Sequence, residues 1–128
     1  MTRRIFNYID ADGTDPVGEF MISLEPKLQR KLETTLNNAR DPCYLLRPPG
    51  FKVIRIQKYK GLYEVRIKMQ QMVRVVFYID QNGSMVLLHG FIKNNGNELN
   101  RALETANKRR TSVQNGTAQI KEFLEVCQ

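Results

Sequence analysis

The chain has 128 residues, 41% of them hydrophobic, and a net charge of +7 from 20 Lys/Arg against 13 Asp/Glu. That suits one domain with one ordinary core. No run approaches the roughly 20 consecutive apolar residues of a membrane-crossing helix, and Cys43 and Cys127 are far apart without metal-ligand spacing.

Residues 3–9 carry Ile5, Phe6, Tyr8 and Ile9 and read as a first strand. Residues 10–16 turn the chain, and Pro16 suits the first turn of a helix running through Phe20 to Leu24. Pro26 breaks or restarts it. Leu28, Leu32 and Leu36 then recur every four residues, the single apolar stripe of a second helix. Asn37, Asn38, Asp41 and Pro42 close it. Arg47, Pro48, Pro49 and Gly50 form a rigid loop before an extended segment over 51–58. After Gly61, Tyr63, Val65, Ile67 and Met69 share one strand face, while Glu64, Arg66 and Lys68 share the other.

Residues 68–72 make a hairpin loop. Val73, Val75, Phe77 and Ile79 then face one way, and Arg74, Val76 and Tyr78 the other. Asn82-Gly83 marks a tight hairpin turn, because both positions tolerate positive φ. Residues 85–92 are apolar on both faces, as in a central strand. Asn97 is the expected cap of a helix striped by Leu99, Ala102, Leu103 and Ala106. Residues 111–116 read as a linker, and Ile120, Phe123, Leu124 and Cys127 as the stripe of a short amphipathic helix. The expected fold is α+β. An N-terminal strand and two short helices precede a three- to four-stranded antiparallel meander and a C-terminal helix, with helices on one side of the sheet. Residues 1–110 form the domain and 111–128 an appendage.

The charge is unevenly placed. Residues 51–114 hold twelve Lys/Arg against four Asp/Glu, whereas residues 1–50 hold seven of each. A basic sheet and helix attract nucleic acid or an acidic protein through salt-sensitive fields. Cysteine usage, and an N-terminal segment without an apolar stretch, fit a reduced cytoplasmic protein.

Several words in this order resemble the RelE/HigB superfamily of type II toxin–antitoxin toxins, and within it the phage-derived HigB-like branch. They are Gly61-Leu62-Tyr63-Glu64-Val65-Arg66-Ile67, Arg74-Val75-Val76-Phe77-Tyr78 and Leu87-Leu88-His89-Gly90-Phe91-Ile92-Lys93. A helix with Ala106 and Arg109-Arg110 follows, and Pro16-Val17-Gly18-Glu19-Phe20 lies near the start. The resemblance covers roughly residues 3 to 110. It implies an endoribonuclease that cleaves mRNA, free or on the ribosome, without metal or organic cofactor, and a cognate antitoxin that neutralises it.

In such chemistry the 2′-hydroxyl attacks the adjacent phosphate, so cations must stabilise a phosphorane and protons must be taken and given. Arg66 and Arg74 match basic positions of the family and are the expected transition-state clamps. Lys93 matches the first of a lysine pair whose second member is Asn94 here. His89, the sole histidine, sits in an apolar strand and reads either as a satisfied structural residue or as a base. Glu64 reads as a neutralising partner rather than a base. Lys60, Lys68, Lys108, Arg109 and Arg110 are phosphate-contact candidates, although a basic helix end also has a dipole explanation. Tyr78 is either core or a base-stacking platform. Two other classes stand beside the nuclease: a non-catalytic binder of RNA, ribosome or protein with the same fold, and a DNA-binding regulator, for which no helix-turn-helix pair is evident. An antitoxin is expected to lay an acidic or amphipathic segment on the basic face, with salt-weakened association.

Overall fold

Alternation along the middle of the chain dictates a sheet with two apolar faces, and the architecture follows from covering both. In the computed structural model, which describes residues 2–94 and 96–123, the elements are as follows. Strand β1 (Ile5–Ile9) leads to helices α1 (Pro16–Ser23) and α2 (Pro26–Asn38). Strand β2 (Phe51–Val53) and a 3-10 turn (Gln57–Tyr59) precede β3 (Leu62–Lys68), β4 (Met72–Ile79) and β5 (Met85–Ile92). Helix α3 (Asn97–Gln114) and strand β6 (Gln119–Glu122) complete the described fold. The sheet order is β2-β3-β4-β5-β1-β6. Its pairs are antiparallel except β1 with β5.

Local chemistry sets the helix starts. Asp15 accepts a hydrogen bond from the Gly18 N–H at 2.9 Å, and Pro16 follows it, where its missing N–H costs nothing. Leu28, Leu32 and Leu36 are fully buried on one stripe of α2. They pack with Val65, Val73, Val75 and Phe77 from β3 and β4.

The expected single helical layer is corrected to two. Leu62, Val76, Tyr78, Val86 and Leu88 form a second apolar face, which Ala102, Leu103 and Ala106 of α3 cover. Residues apolar on both sides of a strand need a cover on both sides. The N-cap of α3 is Gly96 at φ 97°, not Asn97. The Glu98 carboxylate there accepts from the Asn94 and Gly96 N–H groups, each at 3.1 Å, as a capping side chain does.

The C-terminal expectations also change. Helix α3 runs through the expected linker to Gln114, and residues 119–122 are a strand, not a helix. In β6, Ile120 lies opposite Tyr8 and Glu122 opposite Phe6, so β6 covers the edge that β1 would otherwise expose. Phe123 then drops into the α1/α2 core. A four-residue apolar pattern does not separate strand from helix; an open backbone edge decides. Leu124 and Cys127 lie outside the described residues.

A β-bulge places His89. Val76 pairs with His89 and Phe77 with Leu87, leaving Leu88 as the extra residue. Leu88 packs on the α3 side, and His89, opposite Val76, shares that side. Beyond it Gly90 pairs with Val75 beneath α1, where an added Cβ would overlap the Phe20 ring. Gly90→Ala is therefore expected to destabilise the fold by about 1–3 kcal/mol. In a urea-denaturation cycle, part of that loss should return when Phe20→Ala removes the ring.

Candidate nucleic-acid interface

Two arginines from neighbouring strands meet on the sheet, with different fates. Arg66 of β3 lies directly opposite Arg74 of β4, so both side chains project from the α3 side of the sheet, as Leu62, Val76 and Tyr78 do. Arg74 is 2% exposed, and its Nη1 donates to Glu64 Oε1 at 3.0 Å; Glu64 is fully buried. Removing two charges from water costs several kcal/mol per ion, so neither side chain is stable there without the other. The remaining Glu64 oxygen, Oε2, has no hydrogen-bond partner among the described residues. Glu64 thus neutralises Arg74, the arginine on the next strand.

Arg66 is only half-buried and, among the described residues, forms no ion pair. It lines a hollow of about 280 Å³ with Pro49, Gly50, Ile67, Lys68, Met72 and the edge of Arg74. The backbone of Arg66 donates to the Gly50 carbonyl at 2.8 Å, which fixes the Pro-Pro-Gly loop as one wall. Lys68 is exposed. The Lys93 N–H donates to the Met72 carbonyl at 2.9 Å, which extends the β4–β5 ladder and holds half-buried Lys93 beside the hairpin. Neither lysine meets a carboxylate among the described residues.

The other expected residues gather elsewhere. His89 stacks on Phe91 with ring centroids 6.0 Å apart. Its Nδ1 lies 3.2 Å from Arg109 Nη1, which also donates to the Leu88 carbonyl at 2.9 Å. The Arg109 guanidinium sits 5.2 Å from the Tyr8 ring centroid. Burial first, and the Arg109 charge second, lower the His89 pKa to about 4. The imidazole is therefore neutral at pH 7. Nδ1 accepts from Arg109, which leaves the ring proton on Nε2. Such a ring is a poor proton acceptor, because its basic nitrogen is occupied.

Tyr78 is buried in the α3-side core, and burial raises its pKa. No base stacks on it while α3 is in place. Arg110 donates to the Lys60 carbonyl at 2.9 Å and to Asn107 Oδ1 at 2.7 Å, so Arg109 and Arg110 are anchors of α3. Burial lowers the Arg110 pKa. Lys60 and Lys108 stay exposed near these anchors, and neither lines the hollow. Pro49, Gly50 and Met72 were not among the expected site residues. The rigid loop was visible in sequence, but its docking on β3 is a long-range contact. Among the described residues no three His, Cys, Asp or Glu side chains gather so as to hold a metal ion.

The described residues thus form an α+β domain with a cationic shelf, unpaired among those residues, beside a neutralised arginine. Residues 19–111 match the family model described as phage derived protein Gp49-like (DUF891), and the chain belongs to that family. The match runs from within α1 into α3 and leaves β1 and β6 outside. The family is associated with the toxins of toxin–antitoxin pairs, so an antitoxin is the partner it suggests. No curated protein matches the chain. Among the described residues no helix is long and apolar enough to cross a membrane.

Two measurements probe this geometry. Arg74→Met alone, which strands a buried carboxylate, should cost about 3–5 kcal/mol in chemical denaturation. Joint replacement with Glu64→Leu should recover most of that loss. The lone His89 should titrate by NMR near pH 4. Its folded pKa lies below the unfolded value of 6.5, so its contribution is full above pH 6.5 and lost as pH falls towards 4. His89→Gln should flatten stability over that window.

Proposed function

We propose that this chain is the toxin of a toxin–antitoxin pair of the RelE/HigB kind, and that it acts in the cytoplasm as a metal-free endoribonuclease on mRNA, so that translation stops. The observation that carries the reading is the cationic hollow around Arg66, unpaired among the described residues. A guanidinium holds two phosphate oxygens at once and keeps its charge at any physiological pH. Arg66 binds the scissile phosphate and stabilises the phosphorane formed when the neighbouring 2′-hydroxyl attacks. Lys68 and Lys93 hold flanking phosphates. The P–O5′ bond breaks as the 2′-oxygen bonds to phosphorus, and the 2′-hydroxyl proton passes through solvent to the leaving 5′-oxygen, which gives a 2′,3′-cyclic phosphate and a free 5′-hydroxyl. Arg74 contributes by keeping Glu64 neutralised beneath the shelf, so that the hollow remains cationic.

A second reading has a specific observation in its favour. Arg74 is cancelled by Glu64, and His89 is neutral and held by Arg109. A shelf with a phosphate clamp and, among the described residues, no free base describes a module that grips RNA or the ribosome without cutting.

Induced expression with mapping of mRNA 5′ ends separates the two. The nuclease reading expects growth arrest and new 5′ ends, both persisting for purified protein in EDTA. Arg66→Ala should lower cleavage about 10²–10³-fold with the fold intact. Growth arrest without new 5′ ends would establish the grip reading, and neither effect would end both. For purified protein, Lys68→Ala should reduce the slope of log affinity for single-stranded RNA against log salt by about 1.

A further inference from the structure

The partner's seat is a second feature, separate from the hollow around Arg66. Residues 53–57 form a ridge between β2 and the 3-10 turn, with Ile56 and Val53 44% and 41% exposed. Between this ridge and α3 lies a hollow of about 330 Å³, walled by Ile54, Ile56, Leu99 and Leu103. Lys52 and Arg55 stand at its rim. A further hollow of about 240 Å³ on the ridge includes Val53 and Lys60. Lys52, Arg55 and Lys60 are exposed and, among the described residues, meet no carboxylate. The nearby acids are occupied. Glu104 takes Lys58 Nζ at 3.0 Å and Tyr59 Oη at 2.6 Å, and Glu98 takes two backbone N–H groups.

This combination selects its occupant. The walls are aliphatic, with no ring among the lining residues, so bases have nothing to stack on. Aliphatic side chains spaced along one helix face would fill such a groove. Cations at the rim, unpaired among the described residues, call for carboxylates from a partner. The hollow also adjoins the shelf: Lys52 is two residues from Gly50 and lies opposite Glu64, which is two residues from Arg66.

We propose that the groove between residues 52–56 and the first two turns of α3 seats an acidic amphipathic helix of a partner protein, whose chain then extends over Arg66 and Lys68. Resting on the toxin reading, this makes the groove the antitoxin's anchor and the shelf the surface it masks. Leucine-like side chains of the partner enter beside Ile54 and Leu103. Its carboxylates meet Lys52, Arg55 and Lys60.

The test uses the full chain and two fluorescein-labelled 20-residue peptides of identical Leu/Glu-rich composition. One has leucines on a single helical face, and the other is scrambled. By fluorescence anisotropy, the amphipathic peptide should bind at least tenfold more tightly than its scramble, and less tightly as salt rises. The variant Ile56→Ser alters an exposed side chain of the groove wall and carries no charge change. It should lose at least tenfold in peptide affinity, with circular dichroism and oligo-uridine RNA binding unchanged. Equal affinity for both peptides, no binding below 100 μM (about −5.5 kcal/mol), or unchanged affinity of the variant would overturn the proposal. Loss of RNA affinity in the variant would also overturn it, by making the groove an RNA surface. The toxin reading fails separately: absence of growth arrest on expression would remove it while leaving peptide binding as measured.

Discussion

The buried Glu64–Arg74 pair is the constraint around which the basic region is organised. Arg66 and Arg74 face each other across β3 and β4, a spacing at which two bare guanidiniums would repel. Glu64 pairs with Arg74 on the α3 side and leaves Arg66 the arginine without an ion pair among the described residues. The sheet thereby carries arginines on adjacent strands while presenting one of them. Because Glu64 and Arg74 occupy alternate positions of their strands, a one-residue slip of β3 against β4 would turn a charge into the opposite apolar core.

Helix α3 is held by polar ties at its edges as well as by its apolar stripe. Arg109 reaches the backbone of β5, Arg110 reaches the backbone at Lys60, and Glu104 joins the 3-10 turn. Much of the positive charge counted along this helix is therefore structural. That separates the molecule into a clamp of anchored arginines around α3 and an open shelf around Arg66. A net charge of +7 overstates the surface available to a polyanion.

The clamp also explains the histidine. His89 reaches the α3 side through the bulge at Leu88, beside a guanidinium that was placed to fasten the helix. Proximity to Arg109 and partial burial both disfavour its protonation. In sequence His89 reads either as a structural residue or as a base. In three dimensions burial and Arg109 remove its value as a base.

Periodicity alone carried the helices, the β3 and β4 faces and the shared side of Arg66 and Arg74, because those patterns depend on neighbours within one turn or one pleat. The same short range missed β6 and the second helical layer. A strand at 119–122 exists because β1 has an edge to cover, and α3 crosses to its face because β3, β4 and β5 together expose apolar residues there. Site chemistry divided in the same way. Residue type and spacing determined that arginines would share a face. Which of them presents its charge to solvent was decided by packing, since burial and the reach of one glutamate are properties of the assembled sheet, not of any segment of the chain.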